Sequence, residues 1–157
     1  DIAILECQKV DEEFHARFSA VKRGYDYYIH FKKNAFINRY SYYSSQIPDI
    51  ELMNEAAEYL IGKQDFECFS KVKTDVTHFE CIVFNAQWRP DKNGLVFHIE
   101  ANRFLRNMVR AIVGSLLDIG YGNHPPDHMK TIIRSKDRQQ AGESVPACGL
   151  YLSLIEY

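Results

Sequence analysis

Few of the features that announce a function in a short sequence occur here. The chain has four cysteines, Cys7, Cys68, Cys81 and Cys148, but no C-x-x-C pair and no tight Cys/His grouping. Cysteines scattered in this way argue against a disulfide framework and for a reduced, cytoplasmic protein with buried thiols. No apolar run is long enough to span a bilayer, and no signal peptide precedes the fold, so no membrane role is expected. There is no internal repeat and no low-complexity segment. An excess of one charge is also lacking: 19 basic and 21 acidic residues leave a formal net charge of −2. A near-neutral total neither supports nor excludes an anionic partner, because local patches decide that.

What is present is an ordinary globular composition, with 46% apolar and 25% charged residues. A length of 157 residues fits one domain, residues 1–157, with a real hydrophobic core. Aromatic residues reach 13%, with ten Tyr and ten Phe. So many rings can fill a core, and tyrosine also suits wet interfaces and base stacking. The chain opens at Asp1, without an initiator Met, directly into a strand-like alternation. It is expected to be a piece of a longer protein.

The periodicity predicts strands over residues 1–10, 14–22 and 24–33. In the third, Tyr25, Tyr27, Ile29 and Phe31 share one face, and Asp26, Tyr28, His30 and Lys32 the other. Residues 48–62 predict a helix capped by Asp49 and ended by Gly62, with Met53, Ala56, Ala57, Leu60 and Ile61 as its apolar stripe. A polar connection follows over 62–78. Strands over 78–88 and 95–101 flank the turn sequence RPDKNG. Pro125 and Pro126 open a short helix through Met129, Ile132 and Ile133. The closing segment CGLYLSLIEY predicts an apolar strand. Without regular βαβ alternation, the fold class is α+β, an antiparallel or mixed sheet packed by helices.

NRFLRNMVRAIVGSLLDIG, residues 102–120, predicts a helix with Arg103, Arg106 and Arg110 in its first two turns. Cations there oppose the helix dipole, at roughly 0.3–1 kcal/mol each near an exposed end. At 100° per residue the three fall within about 60° of one another, with Asn107 and Gly114 on the same side. Phe104, Leu105, Met108, Val109, Ile112 and Leu116 cover the opposite half. Arg110 therefore marks the border between a wet surface and the core, where a guanidinium needs a carboxylate, a phosphate or carbonyls. Two explanations stand side by side. One is a solvated basic face paired with nearby carboxylates. The other is an anion-binding ridge for nucleic-acid phosphates, which Arg17, Lys22, Arg23, Lys32 and Lys33 beside the Tyr-rich strand favour.

Four stretches in order, FHARFSAVKRGYDYYI, GKQDFECFS, NRFLRNMVRAIVG and CGLYLSLIEY, resemble the C-terminal half of the bacterial tRNA pseudouridine synthase A family (TruA). The resemblance covers essentially the whole chain. It implies the pseudouridine synthase fold and isomerisation of uridine to pseudouridine in the anticodon stem-loop of tRNA. The N-glycosidic bond breaks, the uracil turns, and a carbon–carbon bond forms to the same sugar. No metal or organic cofactor is implied. The partners implied are tRNA and a second copy in a homodimer. The family's essential aspartate lies in a segment resembling G-R-T-D-x-G-V, which is absent from this chain.

By the same resemblance, Tyr25 matches the family tyrosine of an R-x-Y-x-Y strand, which packs on the target uracil and helps move its proton. Arg110 matches the arginine of an M-V-R motif, which pairs with the catalytic aspartate. Leu150 matches the leucine of G-L-Y-L, which lines the uracil pocket. Arg103 and Arg106, with Arg23 and Arg17, are expected to meet RNA phosphates and so offset the few kcal/mol needed to flip out a stacked base. As it stands the chain is expected to be inactive without the missing aspartate. The alternative is a stand-alone RNA-binding sheet domain without catalysis.

Other constellations are weaker. His124, Asp127 and His128 flank two prolines, and a helix start explains them better than a metal site. His15, His30, His78 and His98 are dispersed and expected to be structural, with their nitrogens satisfied. Asp65 and Phe66 are explained by a packed turn. The YSYYSS run is expected to be strand surface.

Overall fold

The computed structural model describes residues 2–71 and 78–157. Residues 72–77 of the expected polar connection lie outside them. The strand β1, Lys22–His30, is the centre of the molecule. On one edge it pairs antiparallel with β5, Gly94–Ala101. On the other edge it carries two shorter neighbours end to end. The antiparallel β6, Leu150–Glu156, lies along Lys22–Tyr27, and the parallel β2, Tyr42–Tyr43, lies along Ile29 and His30. Beyond β5 follow β4, Glu80–Asp91, and then β3, Gly62–Asp65, both antiparallel to their neighbours. The sheet is thus mixed, as the α+β expectation requires.

Among the described residues, three helices cover one face. They are α1 (Ile50–Glu58), α2 (Met108–Gly120) and α3 (His128–Ser135). The alternation in β1 is what makes this possible, since Tyr27 and Ile29 are buried against the helices. Phe97 and Ile99 of β5 and Val83 and Trp88 of β4 join them, facing Met53, Met108, Ile112, Leu116 and Met129 of the helices. Asp49 caps α1 as expected: its carboxylate accepts from the Glu51 and Leu52 amides at 2.8 and 3.1 Å. Such a cap stabilises by about 1 kcal/mol. Of the predicted stripe, Ile61 alone is 45% exposed, because α1 ends before it and Gly62, at φ +97°, turns the chain into β3.

The opposite face of the sheet is polar. His98 lies between two carboxylates, with Nδ1 at 2.7 Å from Asp26 and Nε2 at 3.1 Å from Glu100. Lys22 bridges Glu156 at 2.7 Å and Glu100 at 3.5 Å. His30 departs from the expectation of satisfied histidines. It is fully buried beside Tyr43, and neither ring nitrogen has a hydrogen-bond partner among the described residues. YSYYSS is only partly strand surface, since Ser41 and Ser44 are buried and Ser44 bonds to the Tyr121 hydroxyl at 2.7 Å.

Several expected elements change. Residues 2–10 form no strand, for they pair with nothing and are exposed throughout. Residues 14–21 form none either. The His15 ring accepts from the Arg17 and Phe18 amides and the Ser19 hydroxyl from the His15 amide, drawing the segment into turns. The hairpin is tighter than RPDKNG suggests: Arg89–Asp91 belong to β4, and only Lys92 and Asn93 turn. Pro90 is tolerated there because β3 covers only the other end of β4. The closing strand lies largely in the open, with Tyr151, Leu152 and Ile155 38–49% exposed.

The largest correction concerns the helix with three arginines. It begins at Met108, not Asn102. The Asn102 amide donates to the Ile82 carbonyl at 3.0 Å and its side-chain oxygen accepts from the Ile82 amide at 2.8 Å, extending the sheet by one step. The Arg106 carbonyl accepts from Lys71 at 3.0 Å. Asn107 then takes a left-handed conformation, φ 71°, which asparagine tolerates better than most residues. Arg103 consequently lies on an irregular arm before the helix, Arg106 in the turn that leads into it, and Arg110 alone in its first turn.

Candidate functional site

A cleft of about 910 Å³ opens where the start of β1, the end of β6 and the arm 102–107 meet. Tyr25 lines it. Its register neighbours are Ile99 on β5 and Leu152 on β6. Between Gly24 and Tyr25 the β6 register skips Ser153, and such a bulge re-aims the side chains beside it. The Tyr25 ring stands edge-on to Phe104, centroids 5.0 Å apart and planes at 87°. Tyr25, Phe104 and the half-exposed Leu152 thus give the cleft an aromatic and aliphatic wall.

All four arginines expected at an RNA surface line this cleft, but with different duties. Arg23 donates to the carbonyls of Ala20 and Asn102, each at 2.7 Å, and to that of Arg17. It clamps the turn 17–20 to the arm, so most of its donors are already engaged. Arg103 lies against His78, with Nη1 2.8 Å from Nε2. Arg17 is exposed and stacks over Phe18 at 5.5 Å. Arg106 is exposed and has no ion pair among the described residues.

Arg110 lies on the helix side of the same region, half-buried. Its Nε donates to the Val145 carbonyl at 2.6 Å, and the Val145 amide donates back to the Arg110 carbonyl at 3.2 Å. Among the described residues no carboxylate pairs with it. The strap 141–146 that holds it is pressed onto α2. A Cβ on Gly114 would meet the Glu143 carbonyl oxygen at 1.8 Å. The Gly142 amide donates to Ser115 at 2.9 Å, and Asn107 donates to Ser144 at 2.5 Å. The strap ends at Pro146, whose carbonyl accepts the Tyr27 hydroxyl at 2.6 Å.

Leu150 is the β6 register partner of Tyr27, not of Tyr25. Burial, then the neighbouring Cys148 and Tyr42, raise the Tyr27 pKa far above the ordinary phenol value, and the Arg110 charge opposes the rise. Arg110, Tyr27, Leu150 and the strap therefore form one cluster. Tyr25 lies two residues along β1 on the same face, and Asn107 links the two by lining the cleft and bonding to the strap of the cluster.

Sequence reasoning missed Phe104, Leu152 and His78. Leu152 was accessible from the period of two, which sets it on the same face as Leu150. His78 meets Arg103 only through the fold. The NHPPDH segment places His124 flat on His128 at 4.0 Å and 3.4 Å from Asp118, while Asp127 caps nothing with its side chain. No group of three His, Cys, Asp or Glu side chains among the described residues could hold a metal ion. No helix among them is long and apolar enough to cross a membrane.

A family model described as tRNA pseudouridine synthase matches residues 56–157. The tRNA pseudouridine synthase A of Bacillus subtilis (strain 168) is 40% identical over 159 residues, covering 100% of this chain and 64% of that relative. The enzymes of the same name from Parabacteroides distasonis and Porphyromonas gingivalis are 44% and 43% identical, again over 100% of this chain and 62% and 63% of their own lengths. The chain thus spans a little under two thirds of the curated relatives it matches, and it belongs to the tRNA pseudouridine synthase family.

Proposed function

We propose that this chain is the larger part of a tRNA pseudouridine synthase acting on uridine in the anticodon stem-loop. The observation that carries the reading is a guanidinium held by its Nε at a half-buried position, its terminal nitrogens without a carboxylate among the described residues. A half-buried cation whose terminal nitrogens carry no carboxylate is placed to take an anionic partner. The acidic group is the reaction's aspartate, supplied by a G-R-T-D-like segment outside this chain.

In the reaction a base is first extruded from the stem-loop, at a cost of a few kcal/mol. The exposed Arg106 and Arg17 and the partly exposed Arg103 offset that cost through phosphate contacts. Tyr25 offers a ring on which uracil stacks and a phenol that accepts or donates one proton. Leu150 and Leu152 give the turning uracil an apolar wall. The aspartate opens the glycosidic bond at N1, C5 then bonds to the sugar, the C5 proton leaves to solvent, and N1 takes up a proton in its place. No cofactor takes part, and the enzyme works as a cytoplasmic homodimer.

The experiment is release of tritium from tRNA labelled at C5 of uridine. The longer protein that contains this chain releases it, and residues 1–157 alone do not. A longer protein that binds tRNA but releases nothing would instead establish an RNA-binding sheet domain.

A further inference from the structure

On the sheet face opposite Tyr25, a second cleft of about 270 Å³ is bordered by the rings of Tyr28, Tyr40 and Tyr151. Tyr28 and Tyr151 meet edge to face, centroids 5.6 Å apart, and the Tyr151 hydroxyl donates to the Tyr40 carbonyl at 2.8 Å. The Tyr28 and Tyr151 rings are thereby held before anything binds, which lowers the entropy lost on association. Burial, followed by the charges of Asp26 and Asp91, raises the Tyr28 pKa, so its phenol remains a neutral donor.

The loop that supplies Ile37 and Tyr40 to this cleft runs from Phe31 to Ser41 and contains Lys32, Lys33 and Arg39 but no acidic residue. None of these three cations is in an ion pair among the described residues. Phe36 at the loop tip is 89% exposed, a large ring open to solvent beside these cations. Across the cleft stands the β4–β5 turn. Asp91 borders the cleft, and among the described residues its carboxylate accepts only one long hydrogen bond, 3.4 Å, from the Asn93 amide.

We propose that this cleft is a second RNA site, separate from the Tyr25 cleft, that takes one unpaired guanine nucleotide. Phosphates need the cations of the loop, and a splayed base needs an aromatic wall. The carboxylate narrows the choice. Ionised Asp91 only accepts hydrogen bonds. Guanine presents two adjacent donors, N1–H and the N2 amino group, on its Watson–Crick edge, where adenine presents an amino group beside an acceptor. The target uridine cannot be the occupant, because Tyr28 and Tyr25 point to opposite faces of β1. The inference rests on the reading above only in expecting an RNA partner.

The test is fluorescence anisotropy of a labelled hexa-adenylate and of the same oligomer with one guanine at its centre. Neither contains uridine. The guanine oligomer is expected to bind about tenfold more tightly, in the range of a single base contact. Asp91→Asn, at an exposed position, should abolish the preference and keep the fold. Tyr151→Ala should weaken both oligomers. Equal affinity for the two oligomers, or a preference that survives Asp91→Asn, would overturn the site. So would a Tyr151→Ala protein whose oligomeric state changes while RNA affinity does not, since the face would then belong to a second copy. Guanine binding without tritium release from tRNA by the longer protein would sink the enzymatic reading alone, and the reverse result would sink this inference alone.

Discussion

The Arg110 guanidinium and the Val145 backbone hold each other from both ends. The side-chain Nε donates to the Val145 carbonyl at 2.6 Å, and the Val145 amide donates to the Arg110 carbonyl at 3.2 Å. One strap residue therefore fixes both the helix turn and the orientation of its cation. A side chain anchored in this way loses little further entropy when a carboxylate arrives, which is how a site is preorganised for its partner.

The strap depends on Gly114. Replacing it with Ala improves helix propensity by about 1 kcal/mol. The added Cβ would nevertheless meet the Glu143 carbonyl oxygen at 1.8 Å, and that atom is backbone, which cannot rotate aside. Overpacking typically costs 1–3 kcal/mol, so the steric effect wins. Gly114→Ala is expected to lower the unfolding free energy by up to about 2 kcal/mol net, and the urea midpoint with it. An unchanged or raised midpoint in urea melts would show that the strap does not press on α2.

The thiols should sort by burial. Burial raises the Cys68 thiol to about 12 and the Cys81 thiol to about 11, whereas Cys7 is exposed. Thiolate is the reactive species. A disulfide reagent at mildly alkaline pH is expected to label Cys7 quickly, Cys148 more slowly, and Cys68 and Cys81 only after unfolding. Rapid labelling of Cys68 in the native protein would contradict the packing of the turn after β3.

On the polar sheet face, the hydrogen bond from His98, aided by the Lys22 charge and opposed by burial, holds the Glu100 carboxyl below its ordinary range. A depressed folded value contributes stability above the unfolded pKa, which is near 4.3, and that stability is lost as pH falls through the folded value. Wild type should therefore lose stability more steeply below about pH 4.3 than Glu100→Gln does. Parallel acid melts of the two proteins would show that the carboxylate contributes nothing.

Much of the fold was legible in the sequence because local chemistry decided it. The Asp49 cap, the core face of Tyr27 and Ile29, and α3 behind its prolines all follow from spacing and capping alone. The arm 102–107 was not legible. Its residues have helical spacing, yet long-range bonds to Ile82 and Lys71 and the left-handed Asn107 override it. Residues 2–10 alternate like a strand, but an alternation names no partner. The clamp role of Arg23 was likewise invisible, because its acceptors are carbonyls up to 79 positions away. Motif spelling singles out Tyr25 and Arg110, while the strap that orients Arg110 is a long-range contact with no local signature.

The most direct test of the account is tritium release from C5-labelled tRNA by the longer protein, wild type against Arg110→Ala, with thermal melts confirming that both fold. The account predicts a fall in kcat of at least about 100-fold, as expected when a preorganised charge partner at the reacting centre is removed, with tRNA affinity little changed. An Arg110→Ala enzyme that turns over within about twofold of wild type would contradict it, because the guanidinium would then serve only to hold the strap.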